Sequence, residues 1–106
     1  MLKDSIDLHR QGRFDEAEQG YRAQLVENPD DVDALHLLGM LRYQRGDADE
    51  GARLLGRAHE LAPRDANVEL SLASLAFRNG DHAVAQRGFE RALELDPNLG
   101  GAHAGL

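Results

Sequence analysis

The 106-residue sequence predicts an all-α fold, a right-handed α-solenoid of antiparallel helix pairs. Three glycines recur at intervals of 34 residues, and three prolines recur at the same interval. The glycines are Gly12, Gly46 and Gly80, and the prolines are Pro29, Pro63 and Pro97. A strict period of this length is typical of stacked helical repeats, in which each unit is one pair of helices.

Apolar residues between these landmarks follow the spacing of helix faces. Small residues recur in phase, each four positions before a large apolar one. The small residues are Ala17, Gly51 and Ala85, and the large ones are Tyr21, Leu55 and Phe89. With this spacing, one helix face carries a small residue, which lets a neighbouring backbone approach closely, next to a large side chain that fills the space between the helices. Helices are therefore predicted at about 1–11, 15–27, 32–45, 49–61, 66–79 and 83–95, with a seventh beginning near residue 100.

The residues at the predicted helix ends have a physical reason to be there. Proline cannot continue a helix and disfavours helical backbone in the residue before it, so each proline ends the second helix of a pair. Asp31 and Asp65 are predicted to cap the helix that follows. The recurring glycines suit the left-handed conformation that ends the first helix of a pair, with Asp47 and Asp81 as caps of the second.

Composition limits the functional classes. The chain has 42% hydrophobic and 29% charged residues, which suits one domain of amphipathic helices. Its net charge of −7 argues against nucleic acid as a partner, because phosphate binding needs a basic surface. The sequence contains neither an apolar run of the roughly 18 residues that span a membrane nor an N-terminal signal peptide, so a cytoplasmic location is expected. Eleven of the twelve basic residues are arginine, which hints at a GC-rich bacterial genome.

The sequence shows no residue pattern typical of a catalytic, cofactor or metal site. Cysteine is absent, and the five histidines lie in different helices or turns without a metal-binding spacing. Most aspartates and glutamates fall at predicted helix starts, where the helix dipole favours negative charge. The recurring glycines are explained by turns and form no phosphate-binding loop. We therefore expect no catalytic, cofactor or metal site, and no enzymatic activity in the chain as given.

The repeats resemble the tetratricopeptide repeat family. The middle unit carries that family's pattern of large and small residues, and the third ends in a segment close to its consensus, residues 91–98. The matching positions in the middle unit are Leu35, Leu38, Gly39, Gly51, Leu55, Ala58 and Pro63. Four positions depart from the pattern, namely Gln24, Arg42, Glu69 and Ala76. The resemblance implies three repeats, 1–31 with a shortened first helix, 32–65 and 66–99, and the start of a truncated fourth at 100–106.

In this family the first helix of each unit lines a concave groove, so the resemblance implies a groove that binds a partner peptide or protein. The positions in phase with groove residues are His9, Arg10, His36, Met40, Tyr43, Gln44, Leu70, Ser74, Phe77 and Arg78. Tyr43 and Phe77 have a second interpretation, in which they pack between neighbouring first helices. The basic clamp with which some members hold a chaperone's carboxylate terminus has no counterpart here.

Two functions remain open at this point. The first is a protein interaction scaffold, without nucleic acid or membrane partners. The second is an acceptor-selecting segment of a larger enzyme, since the opening repeats are similar to those that precede bacterial glycosyltransferases of the O-linked N-acetylglucosamine type or sulfotransferases. The helix predicted at 83–95 presents Ala85, Phe89, Ala92 and Leu93 partly toward a helix that would follow it. Self-association through the C-terminal helices is therefore also expected.

Overall fold

The computed structural model describes residues 2–98, and these residues form helices joined by short turns. The helices are α1 (Leu2–Arg10), α2 (Phe14–Glu27), α3 (Val32–Gln44), α4 (Ala48–Leu61), α5 (Ala66–Arg78) and α6 (His82–Leu95). The all-α class is confirmed, and each predicted helix end lies within one residue of the observed end. The predicted seventh helix lies outside the described residues.

The first compact unit ends at Leu61 and contains two antiparallel helix pairs. Helix α1 pairs with α2 and α3 pairs with α4, while α3 also packs against α2. The large side chains at its centre are excluded from water, with Tyr21 and Leu55 at 0% exposure and Leu38 at 1%. Burial of such side chains contributes about 1.5–3 kcal/mol each, so this core stabilises the unit.

Helices α3 and α4 approach each other closely at two glycines. A methyl group added to Gly51 would lie 2.8 Å from the carbonyl oxygen of Gly39. The reverse change at Gly39 would place a methyl group 2.9 Å from Cγ of Leu55. The small residue predicted at position 51 therefore serves backbone contact between the helices.

The second compact unit begins at Ala62, and its described residues contain the α5–α6 pair. Ala92 is fully buried, with Ala66, Leu70 and Leu93 packed against it. Ala85 is 1% exposed. Ala92 therefore contributes to the contact between α5 and α6.

The turns inside each pair are built as predicted. Gly12, Gly46 and Gly80 have φ angles of 79°, 95° and 86°, the left-handed region that favours glycine. After α3, the N–H of Asp47 donates to the carbonyl of Arg42 at 2.9 Å, and the N–H of Gly46 donates to Tyr43 at 3.1 Å. This hydrogen-bond pattern satisfies the last carbonyls of the helix and reverses the chain.

Three of the four predicted helix caps are confirmed. The Asp31 carboxylate accepts from the N–H of Ala34, and that of Asp65 accepts from Asn67 and Val68. Before α4, Asp47 accepts from the N–H of Glu50 at 3.0 Å. The carboxylate of Asp81, by contrast, makes no capping hydrogen bond, so that prediction is wrong.

The turns before α4 and α6 differ in one side chain near the predicted capping aspartate. Arg42 also donates to the carboxylate of Asp47 at 3.0 Å, which holds that side chain in place. Ala76 stands one repeat after Arg42 and can supply no such bond to Asp81.

Candidate functional site

His9 links three helices in the first unit. Its Nδ1 lies 3.1 Å from the hydroxyl of Tyr21 on α2, and its Nε2 lies 2.7 Å from Oε1 of Gln44 on α3. Oε1 of Gln44 can only accept, so Nε2–H of His9 donates to it, and in the neutral imidazole Nδ1 then accepts from the Tyr21 hydroxyl. Burial raises the pKa of the Tyr21 phenol.

Aromatic rings hold the His9 imidazole from two sides. The ring of Phe14 lies edge-on at a centroid distance of 5.7 Å, and that of Tyr21 lies edge-on at 6.0 Å. With both ring nitrogens bonded, His9 orients Gln44 and offers no free nitrogen to a ligand. The side-chain NH₂ of Gln44 keeps its donors, since only Oε1 faces His9.

The remaining predicted groove residues of the first unit lie on α1 and α3. Arg10 is exposed at the end of α1, whereas His36 and Met40 are half-buried. Tyr43 is half-buried, and its Cβ lies close to Gly51 of α4. His9 and Gln44 are therefore in direct contact. Tyr43 is partly at the surface and partly in the α3–α4 contact.

In the second unit, the four predicted groove residues divide into two kinds. Leu70 packs against Ala92 of α6, and the hydroxyl of Ser74 donates to the carbonyl of Leu70 at 3.0 Å. Phe77 is 56% exposed and Arg78 is exposed. Leu70 and Ser74 thus serve the helix pair, while Phe77 and Arg78 are accessible to a partner.

An open apolar cavity of about 480 Å³ adjoins Phe77 in the second unit. Its apolar walls come from Phe77, Ala85, Phe89 and Leu93. The Phe77 ring also meets His82 edge-on at a centroid distance of 5.0 Å. The sequence indicated Phe89 and Leu93 as an open face, but for Phe77 it offered only the groove or packing between first helices and did not connect it with that face.

Sequence reasoning missed a cluster of charges between α2, α3 and α4. Arg42, at a position where the family commonly has an aromatic residue, pairs with Glu18 at 3.1 Å, Asp47 at 3.0 Å and Glu50 at 2.7 Å. Hydrogen bonds to Asp47 and Glu18 raise the pKa of the Arg42 guanidinium. The only signal in the sequence was the departure from the pattern at position 42.

A second departure is also explained by a polar contact. The side-chain NH₂ of Gln24 donates to the Asp31 carboxylate at 2.9 Å, so Gln24 holds the cap of α3 where the family commonly has alanine. At Glu69 the side chain is 13% exposed and lies 4.0 Å from Nε of Arg91. At positions 24, 42 and 69 the departures thus introduce polar contacts.

Residues 2–98 provide no group of three His, Asp or Glu side chains that could hold a metal ion. Over the same residues, every helix is too short or too polar to cross a lipid bilayer.

A comparison of the sequence with family profiles gives a match to the tetratricopeptide repeat over residues 8–75. The chain belongs to the tetratricopeptide repeat family. The resemblance seen in its glycines, prolines and packing positions is therefore confirmed. The repeat bounds predicted from the sequence would make α1, α3 and α5 the first helices of their repeats.

Similar proteins share this architecture. A tetratricopeptide repeat-containing protein of Treponema pallidum is 36% identical over 87 residues, 82% of this chain and 11% of that protein. A mutant of the Thermobaculum terrenum O-GlcNAc transferase superposes with a TM-score of 0.90 at 32% identity, over 99% of this chain and 20% of that one. The chain thus spans only a small part of either protein.

A third similar protein has a bound peptide. The type III secretion chaperone SycD of Yersinia enterocolitica, in complex with a peptide of the translocator YopD, superposes with a TM-score of 0.80 over 92% of this chain and 75% of that one. Its sequence identity is 19%, so this likeness shows the fold alone.

Proposed function

We propose that this chain is a protein interaction scaffold that binds a peptide or protein segment along the first helices of its repeats. The binding residues are those predicted for the groove except Leu70 and Ser74, which serve the α5–α6 pair, and His9 is a positioning residue for Gln44. The observation that carries the proposal is Phe77, a large aromatic side chain 56% exposed at a groove position beside Arg78. Exposed aromatic and arginine side chains are the residue types that most often anchor interfaces.

The chemistry of the predicted surface suits a peptide. The ten residues include two arginines and no carboxylate, although the chain as a whole has a net charge of −7. The Gln44 NH₂ group, held by His9, provides hydrogen-bond donors suited to a peptide carbonyl. In this proposal the chain is cytoplasmic and bacterial, with repeats at 1–31, 32–65 and 66–99 and the start of a fourth at 100–106.

Site-specific photocrosslinking tests this function in the organism that makes the protein. A photoreactive phenylalanine analogue at position 77 is expected to capture a partner of discrete mass. The matched control is the same analogue at Val26, which is 82% exposed on α2 and lies outside the predicted groove. Equal capture at both positions, or at neither, would contradict a binding surface on the first helices.

A second candidate is an acceptor-selecting segment of a larger glycosyltransferase or sulfotransferase. The TM-score of 0.90 to the O-GlcNAc transferase structure over 99% of this chain favours it. Catalytic residues would then lie in another part of the protein, and the repeats would choose its protein substrates. Sequencing the complete transcript decides the matter, because this candidate requires a catalytic domain in the same reading frame.

Self-association through the C-terminal helices is the remaining part of the proposal. The cavity lined by Phe77, Phe89 and Leu93 is apolar and open, and such a surface favours contact with a second copy. Sedimentation velocity across a wide concentration range is expected to show a dimer that Phe89→Glu abolishes. A monomer at millimolar concentration would exclude it.

A further inference from the structure

Eight charged side chains join α2, α3 and α4 into one network, which we call the Arg42 cluster. Each member forms at least one ion pair within the set, at distances of 2.7–3.4 Å. The members are Asp15, Glu18 and Arg22 of α2, Arg42 and Arg45 of α3 and its C-cap, and Asp47, Glu50 and Arg53 at the start of α4. Four arginines thus balance four carboxylates.

The cluster lies at the contact between the first two helix pairs. Glu18 accepts from Arg22 on its own helix and from Arg42 and Arg45 of the next pair. Its side chain is 16% exposed, so these bonds form in partial isolation from water. Burial alone would raise the pKa of the Glu18 carboxyl, but the hydrogen bonds from Arg22 and Arg42 outweigh it and lower that pKa.

Arg22 and Arg45 form further ion pairs between the first helix pair and the second. It donates to Glu18 at 2.9 Å and to Glu50 of α4 at 3.0 Å, while Arg45 reaches Asp15 at 2.7 Å. The first helix pair is therefore connected to the second by ion pairs that run in both directions. Networks of this kind are worth more than isolated surface pairs, which contribute little.

This complementarity occurs once among the repeats. Positions 8 and 76, in phase with Arg42, hold Leu8 and Ala76. Positions 52 and 86, in phase with Glu18, hold Ala52 and Gln86. The charges are thus a local property of the α2–α3 contact and no part of the repeating pattern.

We propose that the Arg42 cluster is an ionic joint that makes the docking of the first helix pair on the second depend on ionic strength. The joint acts together with the packing of α2 against α3. Helix α1 has 9 residues and α2 has 14, and helices of such length are marginal in water without tertiary contacts. Weakening the joint therefore raises the population of molecules in which α1 and α2 are locally unfolded.

Hydrogen exchange followed by mass spectrometry on the full chain tests the proposal. Exchange is compared in about 0.05 M and about 1 M NaCl, because the screening length falls to about 3 Å at 1 M. The exchange rate of peptides from α1 and α2 reports how well the first helix pair is docked, and the exchange rate of peptides from α5 and α6 is the internal reference for general salt effects. We expect salt to accelerate exchange in α1 and α2 by about three- to tenfold over the reference.

Matched variants separate the joint from surface charge in general. In Glu18→Gln/Arg42→Met, exchange in α1 and α2 should be faster than in the wild type at low salt, with a salt ratio well below the wild-type value, since only the Arg22–Glu50 and Arg45–Asp15 pairs still cross the contact. The control Glu16→Gln removes an exposed carboxylate of α2 that pairs with Arg13, three residues before it, and should keep the wild-type ratio.

The outcomes are decisive either way. A wild-type salt ratio near one, or a double variant that keeps the wild-type ratio, would overturn the proposal. If the double variant does not fold, as judged by circular dichroism, Glu18→Gln alone provides the test. That variant should lower the salt ratio below the wild-type value, and an unchanged ratio would overturn the proposal equally.

Discussion

Substitution of Gly56 by alanine should stabilise the protein. Gly56 lies inside α4, and a methyl group added to it would meet no atom within 4 Å. An interior glycine costs about 0.5–1 kcal/mol relative to alanine, because it loses more backbone freedom when the helix forms. Gly56→Ala should therefore raise the free energy of unfolding by about 0.5–1 kcal/mol, equivalent to about 2–8 °C in Tm for a domain of this size.

Gly51 on the same helix provides the matched opposite case. Its methyl group would lie 2.8 Å from the carbonyl oxygen of Gly39 and 3.0 Å from Cβ of Tyr43. Both neighbours belong to or adjoin the α3 backbone, so the helices must separate, at a cost of about 1–3 kcal/mol. After the gain in helix propensity, Gly51→Ala should lower the free energy of unfolding by about 1–2 kcal/mol.

Thermal and urea unfolding followed by circular dichroism measure both effects. The helix-propensity gain is the same for the two substitutions, so the difference between them isolates the α3–α4 contact. A lower Tm for Gly56→Ala would show that position 56 is also a packing site. Equal Tm values for both variants would refute the close approach at Gly51.

Three further predictions test the caps, the His9 link and the charges. Asp65→Ala should cost about 1 kcal/mol in urea unfolding, and Asp81→Ala should cost almost nothing, because only Asp65 caps its helix. Tyr21→Phe removes the donor to His9 and should cost about 1 kcal/mol, with a changed His9 ring signal in NMR spectra. The lowered pKa of Glu18 means that its stabilising effect is present above the unfolded pKa of about 4.3 and is lost as pH falls through the folded value. The urea midpoint should thus drop less steeply below about pH 4.5 in Glu18→Gln than in the wild type, and parallel curves would count against the charge network.

Residues that act through a repeating local rule were predictable from the sequence. Glycine at 46 and proline at 63 mark turns whose backbone requirements are known, so the helix ends followed directly. The packing role of Gly51 followed from its phase with Ala17.

Features that depend on a partner far along the chain were not predictable. Arg42 appeared only as a departure, because its partner Glu18 lies 24 residues away in another repeat. The same holds for His9, whose bond to Gln44 joins residues 35 positions apart. Asp81 resembles Asp47 in sequence, but it makes no capping hydrogen bond, and Ala76 stands where Arg42 bonds Asp47 one repeat earlier. Side-chain pairing across repeats has no period, so one sequence does not show which residue pairs with which.

The most direct test of the central claim is the affinity of the partner captured at position 77. Titration calorimetry with that purified partner should give a Kd about five- to tenfold weaker for Phe77→Ala than for the wild type, a loss of at least about 1 kcal/mol, while the circular dichroism spectrum stays unchanged. Val26→Ala should leave the Kd unchanged. An unaltered Kd for Phe77→Ala, or an equal loss for Val26→Ala, would contradict recognition along the first helices.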